Sequence, residues 1–170
     1  YLFNKKRSFI WNSDAENLEI VDDINSVDLD LLLGINRQKE SLHENTINFA
    51  KGNFTNNVLL WGSRGNGKST LVKSVFDKLQ KNYIQLKIIQ LNKKDIFDIE
   101  KIYKIIRKFE KFKFILFVDD LSFEKIDSDY KIIKSTLDGS LQNQPSNILL
   151  YVTSNRRHLI PRDMIENERS

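Results

Sequence analysis

Nine consecutive residues carry the most specific chemistry in this chain: Gly62-Ser63-Arg64-Gly65-Asn66-Gly67-Lys68-Ser69-Thr70. They satisfy the spacing glycine, four residues, Gly-Lys, then Ser or Thr, which builds a loop around phosphate groups. Only six glycines occur in the chain, and three of them fall within this run. Glycine concentrated this way marks backbone that no side chain may crowd. Successive N–H groups of Gly62, Ser63, Arg64, Gly65, Asn66 and Gly67 can then wrap a triphosphate. The pattern gives Lys68 the β- and γ-phosphates and the Ser69 hydroxyl a Mg²⁺ ion. Thr70 follows as the next helix residue and completes the candidate set.

A second candidate half-site lies downstream. Phe114-Ile115-Leu116-Phe117-Val118 is continuously apolar and runs into Asp119-Asp120. A buried strand of this kind delivers a carboxylate at its C-terminal end, beside phosphate and metal. Asp119 is expected to hold the Mg²⁺ through water, and Asp120 to polarise an attacking water. Glu124 is a second candidate base, with a solvated loop carboxylate as the plain alternative. A third strand, Ile148 to Val152, ends in Thr153-Ser154-Asn155. Asn155 can position water near a γ-phosphate, or it can simply form a turn. Arg156 and Arg157 can stabilise phosphate charge, pair with acids or face solvent.

The elements needed to hold these groups are legible. Asn57-Val58-Leu59-Leu60-Trp61 reads as a buried strand entering the loop, and Leu71, Val72, Val75, Phe76 and Leu79 as the apolar face of the helix leaving it. Leu42, Thr46, Phe49 and Ala50 predict a helix within 31–51, with Gly34 at the turn before it. Ile84, Leu86 and Ile88 alternate with polar residues, which predicts a strand wet on one side at a sheet edge. Ile99, Ile102, Tyr103 and Ile106 predict a helix, as do Tyr130, Ile133, Leu137 and Leu141. Alternating strands and helices imply a parallel sheet covered on both faces, a three-layer α/β/α core.

Bulk properties narrow the possibilities. At 170 residues the chain is long enough for one domain with a real core. It contains no cysteine, which excludes disulfides, thiol catalysis and cysteine-based metal sites and suits a reducing compartment such as the cytoplasm. His43 and His158 are far apart in sequence and read as surface residues. No apolar run approaches the ~20 residues of a membrane span. The chain opens at Tyr1 without an initiator methionine or a secretory leader, which fits a fragment or a processed chain. The net charge is +4, and lysines gather from Lys93 to Lys113. Asp95, Asp98, Glu100 and Glu110 interleave with them, so a solvated face is favoured over a nucleic-acid footprint. Residues 1–26 read as an N-terminal extension that packs locally, and 27–170 as the nucleotide-binding core.

Taken together, the phosphate loop, the apolar strand ending in Asp119-Asp120 and Thr153-Ser154-Asn155 resemble an AAA+ ATPase. The resemblance implies a P-loop NTPase core with sheet order 5-1-4-3-2, and makes Asn155 the sensor-1 residue. It also makes the segment around Gly34 and Ile35 the stretch that packs against adenine. The chain is similar above all to a bacterial AAA+ family of undetermined function. That likeness rests on Leu33-Gly34-Ile35 through Glu44-Asn45-Thr46, Asn57 to Gly62, Asp119 to Glu124, and Thr153 to Pro161. The usual acid after the metal-binding Asp is Glu; Asp120 is one methylene shorter, which casts the base role on either Asp120 or Glu124. The resemblance places the fifth strand, the arginine finger and the helical lid beyond Ser170, so slow hydrolysis is expected of this stretch alone.

The implied activity is Mg²⁺-dependent ATP hydrolysis coupled to movement of a partner through a homo-oligomer, with ATP and ADP as ligands. Alternatives are a nucleotide-gated nucleic-acid binder of helicase-loader type, a small-molecule kinase, and a nucleotide-binding scaffold that does not hydrolyse.

Overall fold

The structure, a computed structural model, describes residues 2–32, 36–62, 67–121, 134–135, 144–154 and 165–167. In chain order the elements are α1 (Leu2–Lys5), β1 (Ser8–Asn12), β2 (Asn17–Ile20), α2 (Asn36–Ala50), β3 (Val58–Trp61), α3 (Lys68–Gln80), β4 (Leu86–Leu91), α4 (Ile99–Ile106), β5 (Lys113–Leu121), β6 (Ile148–Ser154) and β7 (Ile165–Asn167). Short 3-10 segments occupy Leu29–Leu31 and Lys93–Asp98.

The two central strands show why the chain forms layers. Every residue from Phe114 to Val118 is buried. The two-residue period of a strand sends Phe114, Leu116 and Val118 to one face and Ile115 and Phe117 to the other. In β6, Ile148, Leu150 and Val152 join the first face, and Leu149 and Tyr151 the second. The first face is covered by Ile99, Ile102, Tyr103 and Ile106 of α4, and by Phe3 of α1. Leu42 and Phe49 of α2, with Leu71, Val72, Val75 and Phe76 of α3, cover the second. Apolar stripes at helical spacing thus meet both faces of one sheet, giving the three-layer core expected from the sequence.

The sheet order is β2-β1-β4-β5-β6-β3-β7. Strands β1, β4, β5, β6, β3 and β7 pair in parallel, and β2 alone runs antiparallel, to β1. The stretch β7-β3-β6-β5-β4 has the 5-1-4-3-2 order. Two expectations need correction. The fifth strand does not lie beyond the chain: it is β7, which pairs with β3 through Val58↔Ile165, Leu59↔Glu166 and Leu60↔Asn167. Three residues are too few to show an apolar period, which hid it.

Nor is β4 an edge strand. β1 covers its outer side through Ser8↔Ile88, Phe9↔Ile89 and Ile10↔Gln90. The alternation misled because Ile84 precedes the strand and is 73% exposed, while Lys87 within it is buried, its ammonium 5.5 Å from the Phe112 ring centre. Burial lowers the Lys87 pKa, since the charged form loses hydration there. The N-terminal residues are built into the sheet and its core. Phe3 packs edge-on against Phe9 at 5.1 Å and Phe114 at 4.9 Å.

The helix expected within 31–51 begins at Asn36. Before it, the Asp28 carboxylate accepts from the Asp30 N–H at 3.0 Å and caps the Leu29–Leu31 turn. The helix expected around Tyr130 to Leu141 falls outside the described residues, apart from a helical pair at 134–135.

Candidate functional site

Because β3, β6 and β5 are parallel neighbours, their C-terminal ends share one edge of the sheet. Open α/β sheets bind ligands at that edge. β6 lies between the strand that enters the phosphate loop and the strand that carries the acids. It ties both in place: the Gly62 N–H donates to the Ser154 carbonyl at 3.2 Å, and Ser154 pairs in register with Leu121.

On the loop side, α3 starts directly after Gly67, whose φ of 85° is the left-handed backbone that glycine adopts without a Cβ penalty. The first helical bond runs from the Leu71 N–H to the Gly67 carbonyl at 2.8 Å. The amides of Lys68, Ser69 and Thr70 therefore sit in the first turn, where a helix presents unsatisfied N–H groups and the positive end of its dipole. The Lys68 ammonium donates to the Gly62 carbonyl at 3.1 Å, folding the side chain back over the start of the loop. Residues Ser63, Arg64, Gly65 and Asn66 fall outside the described residues.

On the acid side, a bulge separates the two carboxylates. Val118 pairs with Val152 and Leu121 with Ser154, so three steps along β5 match two along β6. Asp120 absorbs the extra residue with a φ of 57°. Its N–H donates to the Thr153 hydroxyl at 2.7 Å, and that hydroxyl donates to Asp119 Oδ1 at 2.5 Å. Asp119 Oδ2 has no hydrogen bond among the described residues. The Asp120 carboxylate faces Lys93, with Nζ 3.6 Å from Oδ2 and both side chains about half exposed. Consecutive acids thus reach different surroundings.

Of the expected site residues, Gly62, Gly67, Lys68, Ser69, Thr70, Asp119 and Asp120 are described and lie at this edge. Gly34, Ile35, Glu124 and Asn155 fall outside the described residues, as do Arg156, Arg157 and His158. Two residues that sequence reasoning gave no role enter the site. Thr153 was visible only as part of a polar strand end. Lys93, in the 3-10 segment after β4, was read as part of a solvated face.

The family profile of DUF815, a protein family of unknown function, matches residues 4–170. The chain belongs to the DUF815 family. No curated protein matches it in sequence. Among solved structures, C. elegans PCH-2 superposes with a TM-score of 0.55 at 16% identity, covering 81% of this chain and 45% of that one. The AAA domain of FIGL-1 in complex with ADP gives a TM-score of 0.56 at 14% identity, covering 80% and 51%. A point variant of Thermotoga maritima RuvB gives 0.52 at 20% identity, covering 80% and 43%. The DUF815 chain therefore has the AAA+ fold and spans about half or less of the length of these similar proteins. Among the described residues, no helix is long and apolar enough to cross a membrane.

Proposed function

We propose that this DUF815 chain is the ATP-binding core of a Mg²⁺-dependent AAA+ ATPase. The observation that supports the reading is that β3, which leads to α3 and Lys68, and β5, which carries Asp119, end at the same edge of the sheet on either side of β6. These residues fit a metal–triphosphate ligand. Mg²⁺ takes hard oxygen donors, usually one or two from the protein with the rest from phosphate and water. The Ser69 hydroxyl is such a donor, and the Asp119 carboxylate, through Oδ2, would hold the ion by way of a water. When bound, the ion would neutralise charge developing on the phosphates.

The chain's own groups would do the rest. Backbone amides of 62–70 would bind the phosphates, and Lys68 would turn from the Gly62 carbonyl to the β- and γ-oxygens. Asp120 or Glu124 would accept a proton from the attacking water, and Asn155 would orient it. Positioning and electrostatics of this kind supply most of the catalysis in phosphoryl transfer. With Asp120 one methylene shorter than the usual Glu, turnover by this chain would be slow. Gly34 and Ile35 would line the adenine site. Coupling to movement of a partner, through a homo-oligomer of the whole protein in the cytoplasm, follows from the same reading.

Phosphate release from ATP tests it. The wild type should release phosphate slowly and only with Mg²⁺, and Lys68→Ala should abolish release. Comparing Asp120→Asn with Glu124→Gln assigns the base. Release unaffected by Lys68→Ala would contradict the proposal.

A further inference from the structure

The bulge at Asp119-Asp120 poses a chemical problem. A strand that ends in two acids has to aim the first at one place and the second elsewhere, in backbone that has left the regular ladder. One buried hydroxyl meets both requirements. Thr153 is 2% exposed and lies on the neighbouring strand β6. It accepts from the Asp120 N–H at 2.7 Å and donates to Asp119 Oδ1 at 2.5 Å. A hydroxyl has a single proton to give. Here it goes to the carboxylate, and a lone pair takes the amide. A hydrogen bond to an ionised carboxylate is short and about twice as strong as a neutral one.

We infer that Thr153 is a positioning residue for the Mg²⁺–phosphate site, an inference that rests on the nucleotide reading above. It engages Oδ1 of the Asp119 carboxylate and leaves Oδ2 for the ligand, and it holds the left-handed turn that sends the Asp120 side chain away towards Lys93. The side chain is suited to this work. Its branched Cβ stiffens χ1, which keeps the hydroxyl in one direction. Valine has the same shape without the hydroxyl, so Thr153→Val would leave the Asp120 amide without its acceptor and Asp119 free to rotate. Serine restores the hydroxyl.

Calorimetry of ATP binding, with Mg²⁺ and with EDTA, on wild type, Thr153→Val and Thr153→Ser distinguishes this role from a structural one. Thr153→Val should lose about tenfold in affinity with Mg²⁺, the usual size of an outer-shell effect on metal affinity. It should bind ATP in EDTA as the wild type does, and Thr153→Ser should recover most of the loss. Equal affinity of wild type and Thr153→Val with Mg²⁺ would overturn the inference. So would an equal loss in both buffers that Thr153→Ser fails to restore, because that is a folding defect. Failure of the wild type to bind ATP in either buffer would overturn the nucleotide reading itself, and this role with it.

Discussion

Lys93 and Asp120 form an ion pair, Nζ to Oδ2 at 3.6 Å, one from the segment after β4 and one from the bulge in β5. An exposed pair of this kind contributes roughly 0–1 kcal/mol to stability. Its influence on reactivity is larger, because the pair engages the carboxylate oxygen that would have to receive a proton from an attacking water. Lys93→Met should leave the melting temperature within a few degrees of wild type and raise phosphate release several-fold. In an Asp120→Asn background the same change should have no effect. Lowered release from Lys93→Met alone would show that the pair assists the chemistry instead of restraining it.

Asp98 makes stability depend on acidity. Its carboxylate accepts from Trp11 Nε1 at 2.9 Å and from the Ser13 hydroxyl at 2.9 Å, and lies 3.6 Å from the Lys101 ammonium. The Trp11 bond chiefly, with Ser13 and Lys101, holds its pKa below the usual carboxylate range against the opposing effect of burial. A depressed folded-state pKa means the stabilisation is complete above the unfolded value, near 4, and is lost as pH falls through the folded one. Asp98→Asn should lower the melting temperature at pH 7 and flatten its decline between about pH 4 and the folded pKa. Melting curves from pH 7 to 2 measure both.

Two buried tyrosines should respond oppositely to loss of their hydroxyls. The Tyr151 hydroxyl lies 2.5 Å from the Thr46 hydroxyl and accepts from Asn45 Nδ2 at 3.2 Å, joining β6 to α2. Burial, against the two hydrogen bonds, pushes its pKa up to about 12. The Tyr103 hydroxyl is buried with no hydrogen-bond partner among the described residues. Removing a satisfied hydroxyl strands its partners, whereas removing an unsatisfied one relieves a desolvation cost. Tyr151→Phe should cost about 1–2 kcal/mol in urea unfolding, and Tyr103→Phe should be neutral or stabilising.

The sequence made the fold legible where local pattern and tertiary role agree. Phe114 to Val118 is apolar throughout because both of its faces are buried, and Gly67-Lys68-Ser69 opens a helix because the next apolar residues recur at helical spacing. The less legible parts depend on pairings between distant residues. Ser8–Asn12 and Asn17–Ile20 show no clean alternation, since β2 is largely exposed and β1 owes its burial to β4. The bulge at Asp120 is defined by a register shift against β6, which neither strand reveals alone. The same holds for Thr153, whose two partners lie 34 and 33 residues away.

The central claim is that the backbone of 62–70, Lys68 and Asp119 form one Mg²⁺–triphosphate site. Titration of ATP by calorimetry, with and without Mg²⁺, on wild type, Lys68→Ala and Asp119→Asn tests it most directly. The account predicts Mg²⁺-enhanced binding by the wild type, loss of binding in Lys68→Ala, and loss of the Mg²⁺ enhancement alone in Asp119→Asn. Equal ATP affinity in all three proteins, or none in the wild type, would contradict it.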